Sequence, residues 1–278
     1  MKYLYKFLVI SNYLMKLRNI YFARLFNKST EEKKLKTVMN ELGLDYESAV
    51  ENLAQVGYLD EFKRDSPTSI SSNHWLLFAA LKSNNGNIKE ILEIGTYNGE
   101  TTRLLSSLFP TANITTIDLK DDDIVFLNTY NRNTLEEREN FIRIRSENLA
   151  NCNNVRFIQD SSFFLREYIS SETFFDLVWV DGCHLNPEVA WDICFAYSIL
   201  TPESGVLLCD DITAIPKNFL DRYLIKKYHE NYTSIDSRVV LQHIKDRRTS
   251  VELAFIPKRV SRYAVDPMRK KFIAYLKK

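Results

Sequence analysis

The sequence has few cysteines, few glycines and no long apolar run. It contains four cysteines and seven glycines among 278 residues. The cysteines form no Cys-x-x-Cys pair, which favours free thiols in a reducing compartment over a disulfide framework. No stretch approaches the roughly 18 apolar residues that a membrane span requires. These absences predict a cytoplasmic protein without a membrane-spanning helix.

Acidic residues are absent from the first thirty positions, although the formal net charge of the whole chain is only +1. The balanced total argues against a nucleic-acid partner. On a helix, the apolar side chains of residues 1–30 share one face and lysines share the other. Such a helix either makes a peripheral membrane contact through residues 1–28 or packs within its own domain or a homo-oligomer. We favour packing, because apolar stripes are usually buried.

The chain divides into a basic amphipathic helix (1–30), a helical cap with a linker (31–73) and a larger domain (74–278). Ser29 and Glu32 have the spacing of a capping box, which predicts that a helix begins there. Asp45 is expected to cap a second helix that ends at Gly57. The polar residues 61–73 are typical of a connecting loop.

From position 88 the sequence alternates short apolar runs with helical stretches. Five runs are expected to be strands: 91–94, 114–118, 155–158, 175–180 and 205–209. Nearly continuous apolar strands separated by helices predict a parallel sheet that is covered on both faces. In the tail, 237–243 and 251–256 are also expected to be β-rich, and a basic helix is expected from Pro267.

Each of these strands ends at a polar or glycine-containing junction. Gly95 and Gly99 follow the first strand, where they permit a tight turn and a close helix N-terminus. The other four strands end in aspartates: Asp118, Asp160, Asp181 and the pair Asp210 and Asp211. Ligands of such sheets bind at the carboxyl ends of the strands. A dinucleotide loop would need a glycine where Tyr97 stands, and no nucleotide-triphosphate loop is present.

The segment 93–101, Glu-Ile-Gly-Thr-Tyr-Asn-Gly-Glu-Thr, resembles motif I of class I S-adenosylmethionine-dependent methyltransferases. Asp118, Asp160 and the Val-Asp-Gly-Cys-His segment that ends at His184 follow at the places where that superfamily has its later motifs. The resemblance covers roughly residues 75–256 and is closest to small-molecule O-methyltransferases of the catechol, caffeoyl-CoA and macrocin types. It implies an α/β fold: a Rossmann-like, doubly wound, mostly parallel seven-stranded sheet with an N-terminal helical cap.

The resemblance also implies roles for particular residues. The methionine part of S-adenosylmethionine would be surrounded by Glu93, Gly95, Tyr97 and Thr101, next to Gly99. Asp118 would bind the ribose, and Asp160 with Ser161 would bind the adenine. Asp181, Asp210 and Asp211 fall where metal-dependent members hold Mg²⁺ or another divalent cation. His184 stands where catechol-type enzymes have a lysine base, so Asp181 and His184 are the predicted catalytic residues.

Several alternatives remain open from the sequence. Asp210 and Asp211 either hold a metal ion or only cap the next turn, and His184 is either a base or a polar wall of the acceptor pocket. The favoured function is O-methylation of a hydroxylated small molecule such as a sugar or a polyketide. The alternatives are a methyltransferase of a protein or nucleic acid, and a non-catalytic membrane-associated module that keeps a relic fold.

Overall fold

The computed structural model describes residues 17, 20–63, 72–84, 87–129, 132–214, 235–261 and 270–278. Its centre is a seven-stranded sheet in the order β3-β2-β1-β4-β5-β7-β6. The strands are β1 Glu90–Ile94, β2 Asn113–Asp118, β3 Val155–Gln159, β4 Leu177–Val180, β5 Val206–Thr213, β6 Glu252–Pro257 and β7 Lys271–Lys277. The predicted Rossmann-like, mostly parallel sheet is confirmed.

Helices precede the sheet and alternate with its strands. In chain order they are α1 Lys28–Glu41, α2 Tyr46–Gln55, α3 Leu59–Lys63, α4 Asn73–Asn84, α5 Glu100–Leu108, α6 Ile124–Leu127, α7 Leu135–Leu149, α8 Glu188–Ser198 and α9 Asp236–Arg247. A 3₁₀ helix, Ser162–Glu167, follows β3. Among the described residues, no helix has the length and apolar character needed to cross a membrane.

The first five strands are parallel, and β7 runs antiparallel between β5 and β6. Strand order reverses between β1 and β4, because β1 pairs with β2 on one side and with β4 on the other. A reversal of this kind opens a crevice at the carboxyl ends of the strands. The topology therefore places the end of β1 and the end of β4 at the centre of any ligand site.

The sheet buries both of its faces, as its apolar strands require. Along β1, Ile91 packs against the side that holds α1, α2 and α4, whereas Leu92 packs against α8 and α9. The cap helices thus share one apolar core with the sheet. Leu35 and Met39 of α1 are part of that core.

Two local expectations are wrong and one is confirmed. The first helix begins at Lys28 rather than after Ser29, because the Asn27 side chain accepts a hydrogen bond from Thr30 N at 3.0 Å. Asp45 does cap α2, accepting from Ser48 N at 2.6 Å. The predicted loop 61–73 contains the end of α3, and its residues 64–71 lie outside the described part.

The tail shows the larger errors. The sequence predicts a β-rich segment at 237–243, but these residues lie in α9. Its buried residues Ser237 and Leu241 are four apart, which is the spacing of a helix face. The expected helix from Pro267, itself outside the described residues, is instead β7 from Lys271. Tertiary burial between β5 and β6 overrides local propensity there.

Candidate active site

The turn after β1 depends on its two glycines. Gly95 has a φ of 100°, and a β-carbon added there would lie 2.6 Å from the carbonyl carbon of Asp181. Gly99 has a φ of 76° and caps α5. Tyr97 between them has a φ of 50°, an uncommon value for a residue with a side chain. The turn therefore leaves bare backbone close to the end of β4 and to the N-terminus of α5.

Asp118 fastens this turn to the end of β2. Its Oδ2 accepts a hydrogen bond from Tyr97 N at 2.6 Å, and its Oδ1 accepts one from Leu119 N at 2.8 Å. Burial raises the pKa of Asp118, and the two backbone donors oppose that shift. Each carboxylate oxygen keeps a further lone pair, which suits the predicted contact with ribose hydroxyls. Asp118, which is predicted to bind the ribose, is thus held to the turn by a hydrogen bond from Tyr97 N.

Glu93 lies beneath the turn and is fully buried. Its Oε2 accepts hydrogen bonds from Thr102 Oγ1 at 2.5 Å and Thr116 Oγ1 at 2.6 Å. Burial raises the pKa of Glu93 to about 7, against these two hydrogen bonds. Its Oε1 is buried without a hydrogen-bond partner among the described residues. The predicted contact of Glu93 with the methionine part therefore depends on Oε1.

The remaining predicted cofactor residues line the same edge. Asp160, after β3, accepts hydrogen bonds from Tyr168 Oη at 2.5 Å and Ser161 N at 2.9 Å. The hydrogen bond from Tyr168 is the main cause of its lowered pKa. Ser161 caps the 3₁₀ helix. Thr101 lies partly buried in the first turn of α5. The turn, two strand-end carboxylates and an orphaned buried oxygen fit a polar cofactor with a cationic end.

Asp181 and His184 follow β4. The His184 Nε2 lies 3.6 Å from Asp181 Oδ1 and 4.0 Å from Asp211 Oδ2. Burial lowers the pKa of His184, against the charges of Asp211 and Asp210. Burial, followed by the charge of Asp210, raises the pKa of Asp181 well above its ordinary value. The structure thus brings the two predicted catalytic residues together, with an imidazole that favours its neutral form.

Asp210 and Asp211 occupy an irregularity in β5. Register with β7 passes from Cys209 paired with Ala274 to Ile212 paired with Phe272, so two residues of β5 stand opposite one of β7. Asp211 has a φ of 54°, in the left-handed region. A β-bulge of this kind re-aims side chains and is common beside active sites. Here it places two consecutive carboxylates at the same edge of the sheet.

The predicted metal ligands do not fit a metal ion. Lys258 Nζ hydrogen-bonds to Asp210 Oδ2 and, at 2.6 Å, to Asp211 Oδ1. Lys271 Nζ donates to Asp211 Oδ2 at 2.5 Å. Within the described ranges, no group of three histidine, cysteine, aspartate or glutamate side chains is placed to hold a metal ion. The carboxylates are neutralised by ammonium groups instead.

Lys258 and Lys271 are the site residues that the sequence interpretation missed. Lys258 directly follows β6 and Lys271 begins β7, so both lie at the edge where β5 carries its aspartates. Burial lowers the pKa of Lys258, but the charges of Asp210, Asp211 and Asp181 outweigh it and raise that pKa. A correct strand assignment for the tail would have placed both lysines here.

The segment that carries the candidate site matches a family model. Residues 92–212, from β1 to the end of the bulge in β5, match the model of a family described as "Methyltransferase domain". This match agrees with the predicted resemblance to S-adenosylmethionine-dependent methyltransferases. No curated protein matches the sequence.

One solved structure shares the fold at low sequence identity, and two further O-methyltransferases are similar over most of the chain. A Klebsiella pneumoniae protein described as an O-methyltransferase has a TM-score of 0.51 at 14% identity, over 84% of this chain and 88% of its own. An O-methyltransferase involved in tomaymycin synthesis from Streptomyces achromogenes, in complex with S-adenosylmethionine, has a TM-score of 0.49 at 15% sequence identity. The match covers 88% of this chain and 95% of that protein. A Bacillus cereus O-methyltransferase in complex with S-adenosylhomocysteine has a TM-score of 0.49 at 14% sequence identity. The match covers 88% of this chain and 97% of that protein.

Proposed function

We propose that the chain transfers a methyl group from S-adenosylmethionine to a hydroxyl group of a small molecule. The observation that carries this proposal is the pair Asp181 and His184, held at the strand-order reversal next to the turn of Gly95. A carboxylate and a neutral imidazole are the groups that accept a hydroxyl proton. Their position beside the cofactor turn supports catalysis rather than a relic binding fold.

The described residues divide the work between binding and proton transfer. The turn of Gly95 to Gly99, Asp118 and Asp160 would hold the cofactor by hydrogen bonds and orient it. When bound, S-adenosylmethionine would supply a sulfonium methyl group for in-line transfer to the acceptor oxygen, and the electron pair of the broken carbon–sulfur bond would stay on sulfur. His184 Nε2 would take the acceptor's hydroxyl proton, and Asp181 Oδ1 would stabilise the imidazolium that results.

Acceptor class and assembly belong to the proposal. The acceptor that we propose is a hydroxylated small molecule such as a polyketide or a sugar, in line with the resemblance of residues 93–101 to small-molecule O-methyltransferases. The segment that follows β5, residues 215–234, lies outside the described part, so the acceptor is proposed by class only. Peripheral membrane contact and homo-oligomer formation through the N-terminal helix also stay predictions.

The test is methyl transfer from tritiated S-adenosylmethionine to a panel of hydroxylated sugars, catechols and polyketides. We expect His184→Gln to lower kcat by about 10² to 10⁴-fold, because a general base is lost, with S-adenosylhomocysteine affinity unchanged. His243→Gln is the matched control, since His243 is exposed on α9 and pairs with Arg247. Equal rates for His184→Gln and wild type, or labelling of protein or nucleic acid alone, would contradict the proposal.

A further inference from the structure

The carboxylates at the end of β5 face two ammonium groups that the methyl-transfer proposal does not use. Lys258 Nζ lies between Asp210 and Asp211, and Lys271 Nζ binds the second oxygen of Asp211. Both Asp211 oxygens and one Asp210 oxygen are therefore bound by lysine nitrogens. A cation that needed these oxygens as ligands would have to displace both lysines.

Lys258 is held firmly in this position. Its backbone N donates to Lys271 O at 2.9 Å, and its carbonyl accepts from Asn73 N at 2.8 Å. The preceding carbonyl, that of Pro257, accepts from Asn73 Nδ2 at 2.7 Å. The Lys258 side chain is 19% exposed and that of Asp210 is 4% exposed. This pairing is thus a fixed interior contact rather than a mobile surface ion pair.

Charge at this edge is already close to balance. Three aspartates, 181, 210 and 211, lie at this edge together with two lysine ammonium groups. A divalent cation would add two positive charges beside two existing ones, in a poorly solvated place where like charges repel strongly. Two of the three carboxylates are already paired with ammonium groups, so no second unpaired carboxylate is left for a metal ion.

We propose that Lys258, supported by Lys271, takes the place of the divalent cation that metal-dependent O-methyltransferases hold at these strand ends. The Lys258 ammonium then supplies the fixed positive charge at the acceptor side of the site, and methyl transfer needs no metal ion. The catalytic part of this statement rests on the proposed function. The replacement of the cation rests on the ion pairs alone.

The test is a titration of the full chain with Mn²⁺ in the presence of S-adenosylhomocysteine, in which electron paramagnetic resonance measures the bound Mn²⁺. We expect no Mn²⁺ site in the wild type and no rise of its melting temperature with Mg²⁺ or Mn²⁺. Lys258→Met frees Asp210 and part of Asp211, so we expect this variant to gain a one-to-one Mn²⁺ site. Lys270→Met is the matched control, because Lys270 pairs with Glu31 and not with these aspartates.

A one-to-one Mn²⁺ complex of the wild type, or turnover that a chelator stops and Mg²⁺ restores, would overturn the proposal. A folded Lys258→Met variant without Mn²⁺ binding would show that the lysine does not stand in a cation position, which also overturns it. If Lys258→Met does not fold, the wild-type titration and melting data decide alone. Failure to bind S-adenosylhomocysteine would contradict the proposed function and leave the Mn²⁺ result standing.

Discussion

The two halves of the carboxyl edge are built by different interactions. On the side of β1 and β2, backbone N–H groups bind Asp118 and fix the glycine turn. On the side of β5 and β7, lysine ammonium groups bind Asp210 and Asp211. The first half, residues 95–99 with Asp118, is called the cradle here. Its geometry is fixed by hydrogen bonds from backbone N–H groups to Asp118. The second is an ion-pair cluster whose geometry comes from elements distant in sequence.

This difference indicates which half can vary. A backbone cradle demands glycine and aspartate at fixed spacing, because only a short segment can form it. An ion-pair cluster can exchange its cation, since a lysine from β6 or β7 reaches the same carboxylates that a metal would bind. The residue types and spacing of the cradle are therefore the more constrained of the two halves.

Gly95→Ala should have the largest effect of the variants considered, because Gly95 lies where the turn after β1 contacts the end of β4. The new β-carbon would meet the backbone of Asp181 and Gly182, and φ is positive, so we expect a loss of roughly 2–5 kcal/mol in unfolding free energy. Affinity for S-adenosylhomocysteine should fall with it. Urea denaturation and calorimetry measure both.

Gly43→Ala is the control for Gly95→Ala. Gly43 has a φ of 69°, but nothing lies within 4 Å of its added β-carbon. It should cost only about 1 kcal/mol, from backbone strain alone. Equal losses for the two variants would show that the close approach of β1 to β4 does not matter.

Glu93, which is buried beneath the cradle, should make the free energy of unfolding depend on pH. Its pKa is about 7 in the folded state against an ordinary value of 4.5, so the folded state keeps its proton longer. Stability is therefore greatest below pH 4.5 for this group and falls as pH rises to about 7, by at most about 3 kcal/mol. Asp192, whose pKa burial also raises to about 7, adds a slope of the same sign.

Urea denaturation at about pH 5 and about pH 8 tests this dependence. Glu93→Gln should reduce the slope, leaving the parts due to Asp192, Asp181 and Asp118, whose pKa values burial also raises. Glu147→Gln, which changes an exposed carboxyl paired with Arg143, should leave the slope as in the wild type. An unchanged slope in Glu93→Gln would contradict the assignment.

Deletion of residues 1–28 should change the melting temperature least, because Phe22 and Leu25 within this range line a cavity that contains no residue of the cradle. This cavity has a volume of about 420 Å³, and it is lined on the other side by Val260 and Lys270 among others. Removing this wall exposes apolar surface, so we expect the melting temperature to fall by about 2–4 °C with cofactor affinity intact. Anionic liposome binding that the deletion abolishes, without loss of stability, would favour the membrane alternative.

Short-range signals made the cradle half predictable. Gly95, Gly99 and Asp118 lie within 24 consecutive positions, and the parallel strands that carry them are apolar runs. The residues of motif I therefore indicated both the fold and the cofactor turn.

The charged half was not predictable, because its partners are far apart in sequence. Lys258 and Lys271 reach Asp211 only after β7 inserts between β5 and β6, and the composition of β7 favours a helix as much as a strand. The bulge that turns Asp210 and Asp211 toward the lysines depends on pairing with β7. A pattern of strand-end aspartates could not tell a metal from an ammonium group.

Calorimetric titration with S-adenosylhomocysteine tests the central claim, that the cradle binds the methyl-donor cofactor. We expect one-to-one binding by the wild type and a loss of about 2 kcal/mol in Asp118→Asn, which weakens hydrogen bonds to a charged acceptor. Asp123→Asn, at the exposed cap of α6, should bind as the wild type does. No binding of S-adenosylhomocysteine by a folded wild type that does bind NAD would contradict the account.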